Sequence, residues 1–127
     1  MKHNRFNKRD NSYLKHKKEL FEEMNGRCAY CGIELEYKKA TIDHKVPLAV
    51  GGTNDRENLI ICCFSCNHYK RNRDIEGFRK SIQNTVKWLK CNSAYRLALK
   101  YERIEEADIN KNVVFYFERS KYEKRDY

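Results

Sequence analysis

Cys28-Ala29-Tyr30-Cys31, Thr41-Ile42-Asp43-His44-Lys45-Val46-Pro47, Gly51-Gly52, Asn58-Leu59 and Cys63-Phe64-Ser65-Cys66-Asn67-His68-Tyr69-Lys70 make up the stretch on which the fold turns. Each C-x-x-C pair lets a tight turn aim two sulfurs at one point. Two such pairs supply four thiolates, from Cys28, Cys31, Cys63 and Cys66, a donor set that suits tetrahedral Zn²⁺. Four protein ligands leave no open position for a reacting water, so the expected zinc is structural. The pairs are separated by 31 residues, more than the roughly 15–20 of a simple zinc ribbon, so further structure must be folded between them. Cys62 and Cys91 are left over and read as buried free thiols. Cys62 competes with Cys63 as a ligand, but only Cys63 keeps the two-residue spacing to Cys66.

Working outward, the chain of 127 residues has 27 Lys plus Arg against 18 Asp plus Glu, a formal net charge of +9. An excess of that size in a small protein points to polyanions, most often nucleic acid. The surplus is uneven. Residues 28–62 are close to neutral, whereas residues 1–27 and 63–92 are clearly basic. No run of about 18 apolar residues exists, which excludes a membrane-spanning helix. The charged N-terminus lacks the apolar stretch of a secretory signal, so a cytoplasmic setting is expected, where paired cysteines bind metal more readily than they form disulfides. At 40% hydrophobic and 13% aromatic residues, the composition supports one small core, and residues 1–127 are expected to be a single domain.

Taken in order, the motifs C-x-x-C, D-H-x-x-P, G-G, N-L and C-x-x-C-N-x-x-K resemble the pattern of the HNH endonucleases, and the resemblance covers residues 28–73. It implies an α+β fold: a ββα-metal core of two antiparallel strands and a helix, stapled here by the four-cysteine zinc site. It further implies a general base at His44 and ligands for a catalytic Mg²⁺ or Mn²⁺ at Asp43 and Asn67. Asn58 would hold the loop and orient the base, and Lys70 would lie near the phosphates of the nucleic acid. The substrate implied is DNA, in double-stranded form, hydrolysed to 3′-hydroxyl and 5′-phosphate ends, with no small-molecule cofactor. His68 is the alternative metal ligand. Neighbouring helix positions lie about 100° apart, so only one of the two is expected to serve, and Asn67 follows Cys66 directly as the pattern requires.

The residue types suit that chemistry. Imidazole titrates near neutrality and can take a proton from the attacking water. A carboxylate and an amide oxygen suit a hard cation that neutralises charge building on the phosphate. Asp43 and His44 are adjacent, so on an extended strand their side chains point to opposite faces. The strand is therefore expected to end or bend there. Lys38, Lys39, Arg71 and Arg73 flank the proposed centre and are expected to contact phosphates alongside Lys70. A zinc-stabilised nucleic-acid-binding module without turnover is the alternative, as is a nuclease part directed at RNA or belonging to a larger machine.

Outside the motif, residues 1–27 read as an N-terminal helical region ending near Gly26. Residues 74–127 read as a helical extension. Asp74 caps a helix with Ile75, Phe78, Ile82, Val86 and Leu89 on one face. Asn92-Ser93 break it before a shorter helix. Val113 to Phe117 read as a late C-terminal strand or as an apolar anchor. Trp88 is expected to pack against the core, Tyr69 to sit in core or rim rather than stack on a base, and Ile33 to be buried.

Overall fold

The computed structural model describes residues 10–105 and 111–119; residues 1–9, part of the basic N-terminal segment, lie outside them. A 3-10 turn over Ser12–His16 runs into helix α1, Lys17–Glu23. Leu20 and Met24 are its buried contributions to the core. The helix is ended by Asn25 and Gly26, at φ +56° and +70°, and the Gly26 amide closes back on the Phe21 carbonyl at 2.9 Å. A left-handed pair of this kind stops a helix, and glycine tolerates it without Cβ strain.

Strands β1 (Thr41–His44) and β2 (Leu59–Cys62) pair antiparallel, Thr41 opposite Cys62 and His44 opposite Leu59. All four β2 residues are buried. A strand this short is stable only when covered, and α1 packs on β2 while helix α2 (Phe64–Lys70) packs on β1. Helices α3 (Ile75–Leu89) and α4 (Ser93–Lys100) follow. Helix α3 starts at the cap its sequence predicts, Asp74 accepting from the Gly77 amide at 2.8 Å; at the Asn92-Ser93 break, Asn92 itself caps α4, accepting from the Tyr95 amide at 3.2 Å. The architecture is thus α+β, a two-stranded antiparallel sheet with helices around it.

The late segment is not a strand. The amides of Tyr116 and Phe117, consecutive residues, donate to the carbonyls of Tyr30 and Ala29 at 3.0 and 2.8 Å. A strand edge offers every second amide to one neighbour, so this pattern cannot extend into a ladder. The chain instead tightens into a 3-10 turn at Tyr116–Glu118. The anchor reading is the correct one. Phe115 and Tyr116 are buried, Phe115 stacks on Phe78 with centroids 5.4 Å apart, and Tyr30 sets its edge against both rings. Arg79 of α3 clips the segment in place through the Val113 carbonyl at 2.6 Å and the Glu118 carboxylate.

Three burial expectations also fail. Trp88, Cys91 and Ile33 are exposed. Trp88 sits at the far end of α3 and Cys91 just past it, both beyond the last buried residue of that helix, Phe78. Ile33 follows the first cysteine turn, its carbonyl accepting from the Cys28 amide at 2.9 Å. Among the described residues no helix is long and apolar enough to cross a membrane.

Candidate active site and metal cluster

The two cysteine pairs converge. The sulfurs of Cys28, Cys31, Cys63 and Cys66 all lie within 4.8 Å of one another, and those of Cys31 and Cys63 are 4.0 Å apart. Bonds of about 2.3 Å to one tetrahedral ion require sulfurs about 3.8 Å apart, so the cluster has the size of a four-thiolate metal site. Each pair is a turn in which the last amide points back at the first sulfur: Cys31 N to Cys28 Sγ at 3.4 Å, Cys66 N to Cys63 Sγ at 3.3 Å. The second of these also caps α2, so one sulfur both faces the cluster and starts the helix. Hydrogen bonding within the cluster splits the thiols. Cys31 is held far below its ordinary value chiefly by Cys28, while Cys28 is pushed up to about 12 by the same contact. Protons crowded among four sulfurs are what a bound cation displaces. Cys62 stays outside the cluster on the buried strand; burial pushes its thiol up, and its sulfur lies 3.4 Å from Thr41 Oγ1.

On β1, Thr41 and Asp43 face α2. Asn67 Nδ2 donates to Thr41 Oγ1 at 3.2 Å. Lys70 reaches Asp43 Oδ2 at 3.0 Å, and Tyr30 OH donates to the same oxygen at 2.6 Å. Burial and the Asp43 charge push the Tyr30 phenol far up, so it stays a donor. Asp43 Oδ1 and Asn67 Oδ1 accept no hydrogen bond among the described residues. His44 takes the opposite face, its ring edge-on to Tyr13 with centroids 5.1 Å apart. The strand ends at His44 and the chain bends at residues 45–46.

Lys70 departs from the sequence reading. Its side chain is 0% exposed, and besides Asp43 it donates to the His44 carbonyl at 2.8 Å. It is a buried brace between the two residues of the Asp-His pair, not a surface cation facing phosphate. Its placement follows from helix phase: Lys70 lies three residues after Asn67, so both face β1, whereas Arg71 follows the helix end at φ +54° and turns outward.

Asn54, which the motif does not include, touches the histidine. His44 Nε2 lies 2.7 Å from Asn54 Oδ1, and Asn54 Nδ2 donates to Asp10 Oδ2 at 3.1 Å. A carboxylate only accepts, so Asp10 fixes the amide with its oxygen toward the ring. The ring nitrogen facing that oxygen then donates, and in the neutral ring this tautomer leaves the lone pair on Nδ1. Asn58 holds the loop at three points. It donates to the Val46 and Thr53 carbonyls at 2.9 and 2.8 Å and accepts from the Val46 amide at 2.9 Å. It makes no side-chain bond to His44. Gly52 lets the same loop close: a Cβ there would stand 1.7 Å from the Val46 carbonyl oxygen. His68 stacks on Phe64 and meets Tyr69 edge-on. Lys38, Lys39, Arg71 and Arg73 are exposed, Lys39 paired with Glu36 at 3.1 Å.

The family model of the HNH endonucleases matches residues 28–73. Those residues are an HNH endonuclease domain. The CRISPR-associated endonuclease Cas9 of Corynebacterium diphtheriae is 35% identical to the chain over 80 residues, covering 54% of this chain and 7% of that protein. Cas9 of Actinomyces naeslundii is 44% identical over 46 residues, covering 35% of this chain and 4% of that protein. The crystal structure of the Type II-C Cas9 enzyme from Actinomyces naeslundii matches with a TM-score of 0.50 and 28% identity, covering 59% of this chain and 9% of that one. The chain therefore spans less than a tenth of the length of the relatives it matches. The HNH domain holds all four clustered cysteines together with Asp43, His44, Asn58 and Asn67.

Proposed function

We propose that the chain is a metal-dependent DNA endonuclease, acting on double-stranded DNA, in which His44 is the general base and Asp43 and Asn67 hold the catalytic divalent metal. Supporting this above all, Asp43 and Asn67 each keep one side-chain oxygen without a hydrogen-bond donor, on a face fixed by Thr41 and Lys70. A carboxylate and an amide oxygen are the hard donors that Mg²⁺ or Mn²⁺ takes while retaining waters, so the residues fit the ion. When bound, that ion would stabilise charge on the scissile phosphate and the departing 3′ oxygen. His44 Nδ1 accepts the proton of the attacking water, its ring held by Asn54 and Tyr13. The products are a 3′-hydroxyl and a 5′-phosphate. The four-cysteine cluster holds Zn²⁺, the ion suited to four thiolates in a closed tetrahedron.

A second reading, a zinc-stabilised binding module without turnover, draws on Asp43 being already paired with Lys70 and Tyr30. Plasmid cleavage separates the two. With Mg²⁺ or Mn²⁺ the protein should nick or cut DNA, and His44→Ala should abolish cleavage while retaining DNA binding and about one equivalent of zinc. Wild-type protein that binds DNA and cuts none under either metal would overturn the nuclease reading.

A further inference from the structure

Helix α2 turns Asn67 and Lys70 toward β1 and Tyr69 into a groove of about 450 Å³ that α3 completes. Phe78 and Ile82 line its floor, and Trp88, Arg71 and Arg73 also line it; none of its lining residues is acidic. The volume falls within the range of small-ligand sites. Tyr69 and Trp88 are 64% and 66% exposed. Large aromatic faces left in water beside a pocket are the sort of surface that a ligand covers. Phe64, 71% exposed and stacked on His68, continues the aromatic row along α2. Arg71 and Arg73 have no carboxylate partner among the described residues. Arg73 is tied to its helix end through the Tyr69 carbonyl at 3.1 Å.

We propose that this groove binds unpaired nucleotides of a DNA strand, with bases stacked on Tyr69 and Trp88 and phosphates on Arg71 and Arg73. The charge calls for a polyanion, and the aromatic lining calls for exposed π faces. Duplex DNA satisfies only the first, because its base faces are stacked on one another and only edges and backbone are accessible. An acidic peptide likewise supplies charge without flat rings. The choice of DNA rests on the nuclease reading above; the stacking site itself rests on the groove.

Trp88 is the single tryptophan of the chain, so its fluorescence reports on this groove. The full chain, without added Mg²⁺ or Mn²⁺, is titrated with oligodeoxythymidylate, with a blunt duplex of equal length, and with polyglutamate. Saturable quenching by the single strand, and little by the duplex, is expected. Tyr69→Ala should weaken single-strand binding about fivefold or more, from the roughly 1–3 kcal/mol that one stacked base is worth. Tyr69→Phe should restore it. Arg71→Gln should lower the salt slope of binding by about 0.7. Circular dichroism and melting temperature check that each variant folds. Equal quenching by duplex, no response to the single strand, or a response to polyglutamate alone would overturn the proposal. Stacking without cleavage in added metal refutes only the nuclease reading, and cleavage without stacking refutes only this one.

Discussion

Replacing Lys70 by methionine tests the arrangement at the Asp-His pair most directly. The substitution keeps the buried stem and removes the ammonium. Asp43 Oδ2 then keeps only the Tyr30 hydroxyl at 2.6 Å, and the His44 carbonyl loses the donor that stood 2.8 Å away. Lys70 is fully buried and the Asp43 side chain only 9% exposed, so solvent screens the loss weakly. Removing one partner from such a pair costs about 3–5 kcal/mol, most of it the burden of the charge left behind. Because Tyr30 remains, about 3 kcal/mol is expected, a large share of the roughly 5–15 kcal/mol that stabilises a small domain. In an Asp43→Asn background the buried ammonium is itself the stranded charge. There Lys70→Met removes that charge along with the bond to the His44 carbonyl, and should cost nothing or stabilise the fold.

Urea unfolding of the four proteins measures the coupling, expected at about 3 kcal/mol or more. DNA binding measured against salt supplies the contrast. A lysine on a phosphate releases a counterion, and its loss lowers the slope by about 0.9. A buried brace leaves the slope unchanged. A cost below about 1 kcal/mol, an equal cost in both backgrounds, or a fall in slope without a fall in stability would refute the reasoning.

Three further outcomes follow from the same geometry. Asn54→Ala removes the acceptor that sets the His44 tautomer, and single-turnover cleavage should slow about 10–100-fold with little change in DNA affinity; an unchanged rate removes Asn54 from the mechanism. Gly52→Ala places a Cβ 1.7 Å from backbone that cannot yield, so unfolding should show a loss of at least about 1–3 kcal/mol, and a neutral result would mean the loop closes differently. Tyr30, whose ionisation burial opposes in the folded state, ties stability to pH: the unfolded phenol ionises above about pH 10 and the folded one does not, so stability falls as pH rises past that point. Tyr30→Phe should flatten that alkaline limb in pH-dependent melting, and a limb of the same steepness would assign it elsewhere.

Much of this was legible in the chain because it depends on local spacing. Two C-x-x-C turns need only their own backbone to aim four sulfurs, and Asp74 and Asn92 cap helices through amides three residues away. What stayed hidden depends on partners distant in sequence. Lys70 reads as surface charge because Arg71 and Arg73 follow it; only helix phase and the sheet face it meets make it a buried brace. Tyr30 reads as filler within C-x-x-C, and nothing local shows that its hydroxyl reaches Asp43, 13 residues on. Asn54 looks like a turn residue until Asp10, 44 residues before it, orients its amide. Val113 to Phe117 have strand composition, but no free edge stands where they dock.

The metal cluster and the Asp-His pair are mechanically one object. Both donors to Asp43 Oδ2 come from the two cysteine turns: Tyr30 lies inside the first, and Lys70 ends the helix that the second begins. An ion drawn to the four sulfurs would therefore hold the two turns together, and with them Tyr30 and Lys70 and the carboxylate they share. Asn67, the residue directly after Cys66, is positioned by the same turn. The sulfurs of Cys31 and Cys63 stand 4.0 Å apart, and the first turn is also tied to β2, the Ala29 amide donating to the Ile61 carbonyl at 2.9 Å. A metal in the closed four-cysteine site would thus act on Asp43 and Asn67 without touching substrate, through the turns that carry their supports.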